Sequence, residues 1–178
     1  MNKYIGLGNK SPKEAAKIVG DVEKSNYLAH TIREMELALM RTRCLHYNIY
    51  VYVANNCQKS KITFFDYCCE IRLTMDSNSM DDKELRLILA HELGHLIRNF
   101  DRLKNPEVLA NNTPSPDAET YAWIFAYHLI TEKSNYYSRT HGSGKFIYRA
   151  VDLEETLSRL VRARNPAIHS DVMRGIKE

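Results

Sequence analysis

A chain of 178 residues that is 44% hydrophobic and 26% charged has the length and composition of one globular domain rather than of a disordered or fibrous protein. A net charge of +3 is too small to indicate a nucleic-acid partner, the first residues lack the apolar core of a secretory signal, and no apolar run approaches the ~20 residues of a membrane span. We therefore expect a single-domain cytoplasmic protein, residues 1–178, that binds neither nucleic acid nor membranes directly.

Two helices are predicted in the N-terminal region, residues 11–46. The first begins at Ser11, a capping residue that is followed by Pro12 at the first helical position and by Glu14 three residues after the cap. From about residue 26, apolar residues recur every three or four positions, which predicts an amphipathic helix that continues to about residue 44. Two helices are too few for the usual DNA-binding domain of a repressor.

Three strands are predicted in residues 48–74. The segments 49–53, 61–65 and 68–73 are rich in β-branched and aromatic residues, and short polar segments separate them. We expect a small, mostly antiparallel three-stranded sheet that is formed by local turns and lies beside the next helix.

The four cysteines do not form a recognisable metal or disulfide pattern. Two of them are neighbours in the last predicted strand, and none forms a C-x-x-C pair: Cys44, Cys57, Cys68 and Cys69. We interpret them as reduced thiols that pack as small apolar side chains, with a second zinc site as the alternative.

The helix predicted over residues 82–98 carries the motif H-E-L-G-H, which ends at His95. Residues four apart lie on the same face of a helix, so the imidazoles of His91 and His95 can bind one metal ion. Glu92 lies beside them, within reach of a water bound to that ion. The pattern H-E-x-x-H is typical of a zinc site whose glutamate is the general base of a metalloprotease. Gly94 costs ~1 kcal/mol relative to alanine in mid-helix, so we expect a backbone or a substrate to approach closely there.

A catalytic zinc usually has a third protein ligand, for which the chain offers two candidates. Asp101 comes six residues after His95, but Arg98 takes the place of the glycine that would turn the chain back, so Asp101 is the second choice. Glu119 lies near the start of a helix predicted over residues 116–131, after the capping residue Ser115. A carboxylate that enters the apolar side of a helix is costly unless it is paired or bound to metal, so Glu119 is the predicted ligand.

These residues carry a resemblance to a known family. The segment 85–97 and the sequence E-T-Y-A-W-I-F-A, which begins at Glu119, resemble the ImmA/IrrE family of zinc metallopeptidases, whose second motif is close to E-x-E-A-x-x-F-A followed by a leucine pair. Leu129 and Ile130 take the place of that pair, and the resemblance covers about the middle half of the chain. Tyr121 replaces the second glutamate of the family motif, and the proline common after the leucine pair is absent.

The resemblance implies a mainly helical, zincin-like α+β fold and a zinc ion held by His91, His95 and Glu119. It also implies a protein substrate, since members of the family include peptidases that cleave repressor transcription factors of mobile genetic elements or stress responses. A cytoplasmic DNA-binding regulator is therefore the expected target.

Residues 133–178 are predicted to form a polar loop and a last helix that begins near residue 152. Four side chains in this region could stabilise the oxyanion formed on peptide attack, and no spacing rule selects among them: Tyr136, Tyr137, His141 and Tyr148. Among these four, we take His141 as the candidate catalytic residue that would stabilise the oxyanion, in addition to Glu92 as the base. Arg159, Arg162 and Arg164 have the spacing of a solvated helix face, with an acidic partner as the alternative. The Asn-rich segment 105–112 is expected to border the cleft.

The leading hypothesis is a zinc-dependent endopeptidase in which Glu92 moves the proton of the attacking water. The alternative is a protein that keeps the zinc-peptidase scaffold and binds a regulator without cutting it. A third possibility is a zinc hydrolase that acts on a non-peptide bond. The oligomeric state is left open.

Overall fold

The computed structural model describes residues 3–22, 25, 27–43, 46–55, 59–74, 80–104, 114–141 and 148–178, with the side chains of residues 43, 104 and 136–141 excluded. Over these residues the chain is an α+β protein that is mostly helical, as the sequence predicts. The helices are α1 (Pro12–Val22), α2 (Leu28–Arg43), α3 (Asp82–Arg98), α4 (Pro116–His141), α5 (Ala150–Arg164) and α6 (His169–Gly175). The strands are β1 (Asn48–Val53), β2 (Lys61–Phe64) and β3 (Cys68–Leu73).

Three helices begin where their capping residues predict. The side chain of Ser11 accepts a hydrogen bond from the backbone N–H of Glu14 at 3.3 Å, which caps α1. Asp81 accepts from the backbone N–H of Glu84 at 2.9 Å and caps α3. Ser115 accepts from the backbone N–H of Ala118 at 3.2 Å and caps α4. Each cap satisfies a backbone donor that has no partner within its own helix.

The sheet is mixed, so the expectation of a mostly antiparallel sheet made by local turns is only half right. The strand order is β1-β3-β2, and β2 pairs with β3 in the antiparallel sense through a short turn. β1 pairs with β3 in the parallel sense, with Asn48 opposite Cys68 and Val53 opposite Leu73. The physical reason is burial: β3 presents Cys69, Ile71 and Leu73 to the core, whereas most of β1 is exposed, so β3 takes the centre and β1 an edge.

Helix α4 is ten residues longer than its predicted end at residue 131. The polar residues that suggested a loop after residue 132 continue the helix, and two of them, Lys133 and Ser134, are buried. The ammonium of Lys133 donates a hydrogen bond to the backbone oxygen of Ser25 at 2.9 Å, between α1 and α2. No helix in the described ranges is long and apolar enough to cross a membrane.

One hydrophobic core joins the sheet to the helices. Its buried side chains come from both sides of the α3–α4 contact, and the largest of them include Trp123, Tyr4, Tyr47 and Phe125. Cys68 and Cys69 are free and buried, and burial raises the pKa of the Cys69 thiol, so both pack as apolar side chains. Cys44 and Cys57 lie outside the described residues.

Candidate metal centre

The centre lies where α3 crosses α4, and Gly94 allows the two backbones to meet there. A Cβ atom added to Gly94 would lie 2.9 Å from the Cα and 3.1 Å from the carbonyl oxygen of Ala122 on α4. Real Cβ atoms are almost never that close to backbone, so only glycine fits. The close approach expected beside the histidines is therefore that of the α4 backbone, and it brings the first turns of α4 alongside His91 and His95.

Three side chains converge at this crossing, as the sequence analysis expects. The Nε2 atoms of His91 and His95 are 3.2 Å apart. The Glu119 carboxylate completes the set, with Oε2 at 3.2 Å from the Nε2 of His91 and Oε1 at 3.2 Å from the Nε2 of His95. Zinc bonds of ~2.0–2.1 Å in a tetrahedral arrangement place neighbouring ligand atoms ~3.4 Å apart, so the spacing fits one small cation.

All three side chains line the cleft, but the histidines are more deeply buried than Glu119. His91 and His95 are 5% and 3% exposed, and the side chain of Glu119 is 18% exposed. Burial lowers the pKa of His91 to about 4, which keeps its imidazole neutral, the form that binds metals. Burial alone would raise the pKa of Glu119, but hydrogen bonds from His91 and His95 outweigh it and hold that pKa well below its usual range. The set therefore offers two neutral nitrogens and one carboxylate charge.

Glu92 is a second carboxylate at the centre, and its position differs from that of Glu119. It is 2% exposed, and one of its carboxylate oxygens lies within 4.8 Å of ligand atoms of both His91 and His95. Burial raises the pKa of Glu92 to about 7, while a hydrogen bond from the backbone of Ile62 in β2 acts in the opposite direction. A carboxyl group with its pKa near neutrality can both accept and release a proton at physiological pH. Glu119 is the better placed ligand, and Glu92 the better placed base.

A tryptophan holds His91 in place. The ring of Trp123 lies against the imidazole of His91, with centroids 3.9 Å apart and an angle of 34° between the planes. The indole Nε1 donates a hydrogen bond to the side-chain oxygen of Asn165 at 3.0 Å, at the end of α5. Trp123 therefore connects a candidate ligand on α3 to the last turn of α5. The Nδ1 atom of His91 is buried and has no hydrogen-bond partner among the described residues.

The centre opens into a cleft of about 590 Å³ that is bordered by strand β2. The N–H of Phe65 bonds to the carbonyl of Cys68 at 2.7 Å, and hydrogen-bonded and non-bonded pairs alternate along an antiparallel ladder. The backbone groups of Ile62 and Phe64 therefore point away from β3, on the outer edge of the sheet. Both residues line the cleft, and the N–H of Ile62 bonds to the Glu92 carboxylate. The carbonyl of Ile62 and both backbone groups of Phe64 are left without a strand partner among the described residues.

The second-choice ligand has a structural role instead. The carboxylate of Asp101 accepts hydrogen bonds from the backbone N–H groups of Gly6, at 3.0 Å, and of Gly8, at 3.4 Å. Both of its oxygens are used, and Asp101 does not line the cleft. Tyr121, at the position of the second glutamate in the family motif, is buried and does not line the cleft either.

Of the four candidates for oxyanion stabilisation, only Tyr148 has a side chain among the described residues. Tyr148 donates a hydrogen bond to Asp82 at the start of α3 and does not line the cleft. The backbone of α4 continues to His141, but the side chains of Tyr136, Tyr137 and His141 lie outside the described residues. The segment 105–112 also lies outside them, although Pro114 and Ser115, which follow it, line the cleft.

Two features of the site were not predicted from the sequence: Arg164 and the edge of β2. Arg159 and Arg162 fit the predicted solvated face, because Arg159 pairs with Glu84 and Arg162 is exposed. Arg164 differs from them, since it lies in the cleft beside the metal centre. No spacing signal separates Arg164 from its neighbours on α5. The only sequence cue is its place before Asn165-Pro166, where the helix ends.

Comparisons of the chain with protein-family models, with curated proteins and with solved structures found no match. The buried group of His91, Glu92 and His95, with the Glu119 carboxylate beside the two histidines, can hold a metal ion in the cleft.

Proposed function

We propose that this protein is a zinc-dependent endopeptidase with a zincin-like fold. The observation that carries the proposal is the triangle of ligand atoms from His91, His95 and Glu119, with the separate carboxylate of Glu92 beside it. Two imidazoles and one carboxylate are the ligand set of catalytic zinc sites that leave a fourth position open. The sequence resemblance to ImmA/IrrE metallopeptidases supports the same assignment.

The zinc ion and the side chains would have separate roles in the hydrolysis of a peptide bond. Zinc, when bound, supplies a Lewis acid and lowers the pKa of water from 15.7 to about 7. His91, His95 and Glu119 would hold it, and Trp123 would keep His91 oriented. Glu92 would accept a proton from the attacking water and pass it to the nitrogen of the leaving amine, and general acid–base catalysis of this kind contributes typically 10²–10⁴-fold.

The edge of β2 supports a peptide over a non-peptide substrate. An extended peptide can add a strand to an exposed sheet edge, with main-chain hydrogen bonds that do not depend on side chains. The outward carbonyl of Ile62 and the outward N–H and C=O of Phe64 offer those bonds, while the N–H of Ile62 is bonded to the Glu92 carboxylate. A peptide that pairs with the edge of β2 would lie in the cleft, next to the side chains of the metal centre.

The proposed target is a DNA-binding regulator of the repressor type. Only the family resemblance supports this choice, because the geometry of the cleft identifies no particular protein. Repressors encoded near the gene for this chain are the first substrates to try. Incubation with and without a chelator shows whether any cleavage depends on metal.

Metal analysis with three variants tests the site. Wild-type protein should carry about one zinc per chain. Glu119→Ala should lose it, whereas Asp117→Ala is a matched control at the same helix start whose exposed side chain does not line the cleft. Glu92→Gln should keep zinc and lose hydrolysis. Full zinc in Glu119→Ala, or wild-type hydrolysis by Glu92→Gln, would contradict the proposal. A stable complex with a regulator that is never cleaved would favour the non-catalytic alternative.

A further inference from the structure

Basic side chains surround the candidate metal centre. Glu92 and Glu119 are the only acidic residues among the described ones that line the cleft, and both belong to the metal centre itself. The lining also contains five basic residues: Lys59, Lys61, Arg98, Arg102 and Arg164. The whole chain has a net charge of only +3, so positive charge is concentrated in the cleft.

Most of these cations have no acidic partner within the described part of the chain. Lys61, Arg98, Arg102 and Arg164 form no ion pair there, whereas arginines elsewhere on the molecule do: Arg86 with Asp82, Arg149 with Asp152, Arg159 with Glu84 and Arg174 with Asp171. Uncompensated charge in a concave site raises the local concentration of an oppositely charged ligand. The cleft is therefore matched to an anionic partner.

The cations lie toward both ends of the histidine pair. Arg164 precedes Asn165, whose bond to Trp123 holds this end of α5 close to His91, and its positive charge lowers the pKa of both His91 and Glu92. Arg98 lies three residues beyond His95, in the last turn of α3, and also lines the cleft. Asn99, which follows it, donates a hydrogen bond to the backbone oxygen of His95 at 2.8 Å. Each end of the centre thus has its own arginine.

We propose that the cleft selects acidic peptide segments, with Arg164 and Arg98 each receiving a carboxylate side chain on a different side of the scissile bond. This inference rests on the proposed peptidase function and gives it a substrate class. A peptide fits better than a nucleic acid because the outward N–H and C=O groups of β2 match a peptide backbone and not a chain of phosphates.

The first test measures cleavage by the zinc-loaded full chain. The substrates are quenched fluorescent peptides of one sequence, with Glu, Gln or Lys placed at each position on either side of the cleaved bond. Hydrogen bonds from arginine to a carboxylate support a preference of about 10- to 100-fold in kcat/KM for Glu over Gln at two positions. The preference should shrink as salt is added, because exposed charges are screened.

Single variants assign the two positions. Arg164→Gln should abolish the Glu preference at one position, and Arg98→Gln should abolish it at the other. The readout is the ratio of kcat/KM for the Glu peptide to kcat/KM for the Gln peptide, in which any effect of the variant on the catalytic groups cancels. Arg162→Gln is the matched control, since it is exposed on the same helix and does not line the cleft. Equal kcat/KM for Glu and Gln peptides in wild type, or equal losses on both peptides in the variants, would overturn the inference.

A binding measurement separates this inference from the proposed function. Zinc-loaded Glu92→Gln is titrated against the same peptides carrying a fluorescein label, and against a labelled single-stranded oligonucleotide, with anisotropy as the readout. If Glu peptides bind more tightly than Gln peptides but wild type hydrolyses neither, the preference for acidic peptides is supported and the proposed peptidase activity is contradicted. Equal or absent binding of the Glu, Gln and Lys peptides would overturn the inference alone. Tighter binding of the oligonucleotide than of the acidic peptide at the same salt would also overturn it.

Discussion

Gly94 and Ala122 are in direct backbone contact, and a Cβ atom on Gly94 would lie 2.9 Å from the Cα of Ala122. This contact sets how closely α3 and α4 approach each other. Since His91 and His95 are on one of these helices and Glu119 is on the other, the same contact sets the spacing of the three candidate ligands.

Gly94→Ala should therefore lower both stability and zinc affinity. Alanine has a helix propensity that is better by ~1 kcal/mol, but overpacking typically costs about 1–3 kcal/mol, so we expect a net loss of roughly 1 kcal/mol. Urea unfolding in chelator and zinc titration measure the two effects. Ala122→Gly should not rescue the variant, because the close atoms are backbone, whereas Phe125→Leu should rescue it in part, since the Phe125 ring would lie 3.2 Å away. A variant more stable than wild type would contradict this account.

The fluorescence of Trp123 should report metal binding. Trp123 is the only tryptophan of the chain, and its ring is 3.9 Å from that of His91. Removal of zinc by a chelator should change its emission, and zinc should restore it with saturation at one ion per chain. Glu119→Ala should show no such response at the same zinc concentrations. An identical response in wild type and Glu119→Ala would place the ion elsewhere.

Asp101→Ala separates a structural carboxylate from a ligand. Because both oxygens of Asp101 accept bonds from the backbone of Gly6 and Gly8, its loss should destabilise the protein by about 1–3 kcal/mol. Zinc content should stay at the wild-type value, since Glu119 and not Asp101 lies beside the histidines. Chemical unfolding and metal analysis of the same sample provide the two readings, and loss of zinc from a folded variant would reopen Asp101 as a ligand.

His128 should make stability depend on pH. Burial lowers the pKa of His128 to about 4, with a smaller contribution from Lys13, and its Nε2 atom is buried without a partner among the described residues. The unfolded chain, with a histidine pKa near 6.5, then binds more protons than the folded chain between these values. Stability is therefore retained above about pH 6.5 and falls as the pH drops toward about 4.

His128→Gln should flatten that dependence. The full change in the pKa of His128 would correspond to about 3 kcal/mol of unfolding free energy. Because His128 is only partly buried, we expect wild type to lose roughly 1–2 kcal/mol more than the variant. Urea unfolding at pH 7.5 and pH 5, with chelator present in both, compares the variant with wild type. His91 also lowers the free energy of unfolding at pH 5, in wild type and in His128→Gln alike. The test is therefore the difference between the two proteins in how much stability they lose between pH 7.5 and pH 5. Equal losses would show that His128 does not carry the effect.

Local signals account for the parts of the fold that were predicted correctly. The helix starts at Ser11, Asp81 and Ser115 follow from capping, which depends on residues three positions apart. The pairing of His91 with His95 follows from helix periodicity. The end of α4 was missed because Lys133 and Ser134 are polar, and their burial depends on contacts with distant segments such as the one at Ser25.

The sequence by itself determined the two site helices, the histidine pair with its adjacent glutamate, and the choice of Glu119 as the third candidate ligand. The tertiary structure decided which strand takes the centre of the sheet, which residue of α4 packs against Gly94, and which arginine of α5 enters the cleft. These features depend on packing between segments that are far apart in the chain. The contact of Gly94 with Ala122 and the bond from Trp123 to Asn165 create the arrangement, and no local pattern encodes either one.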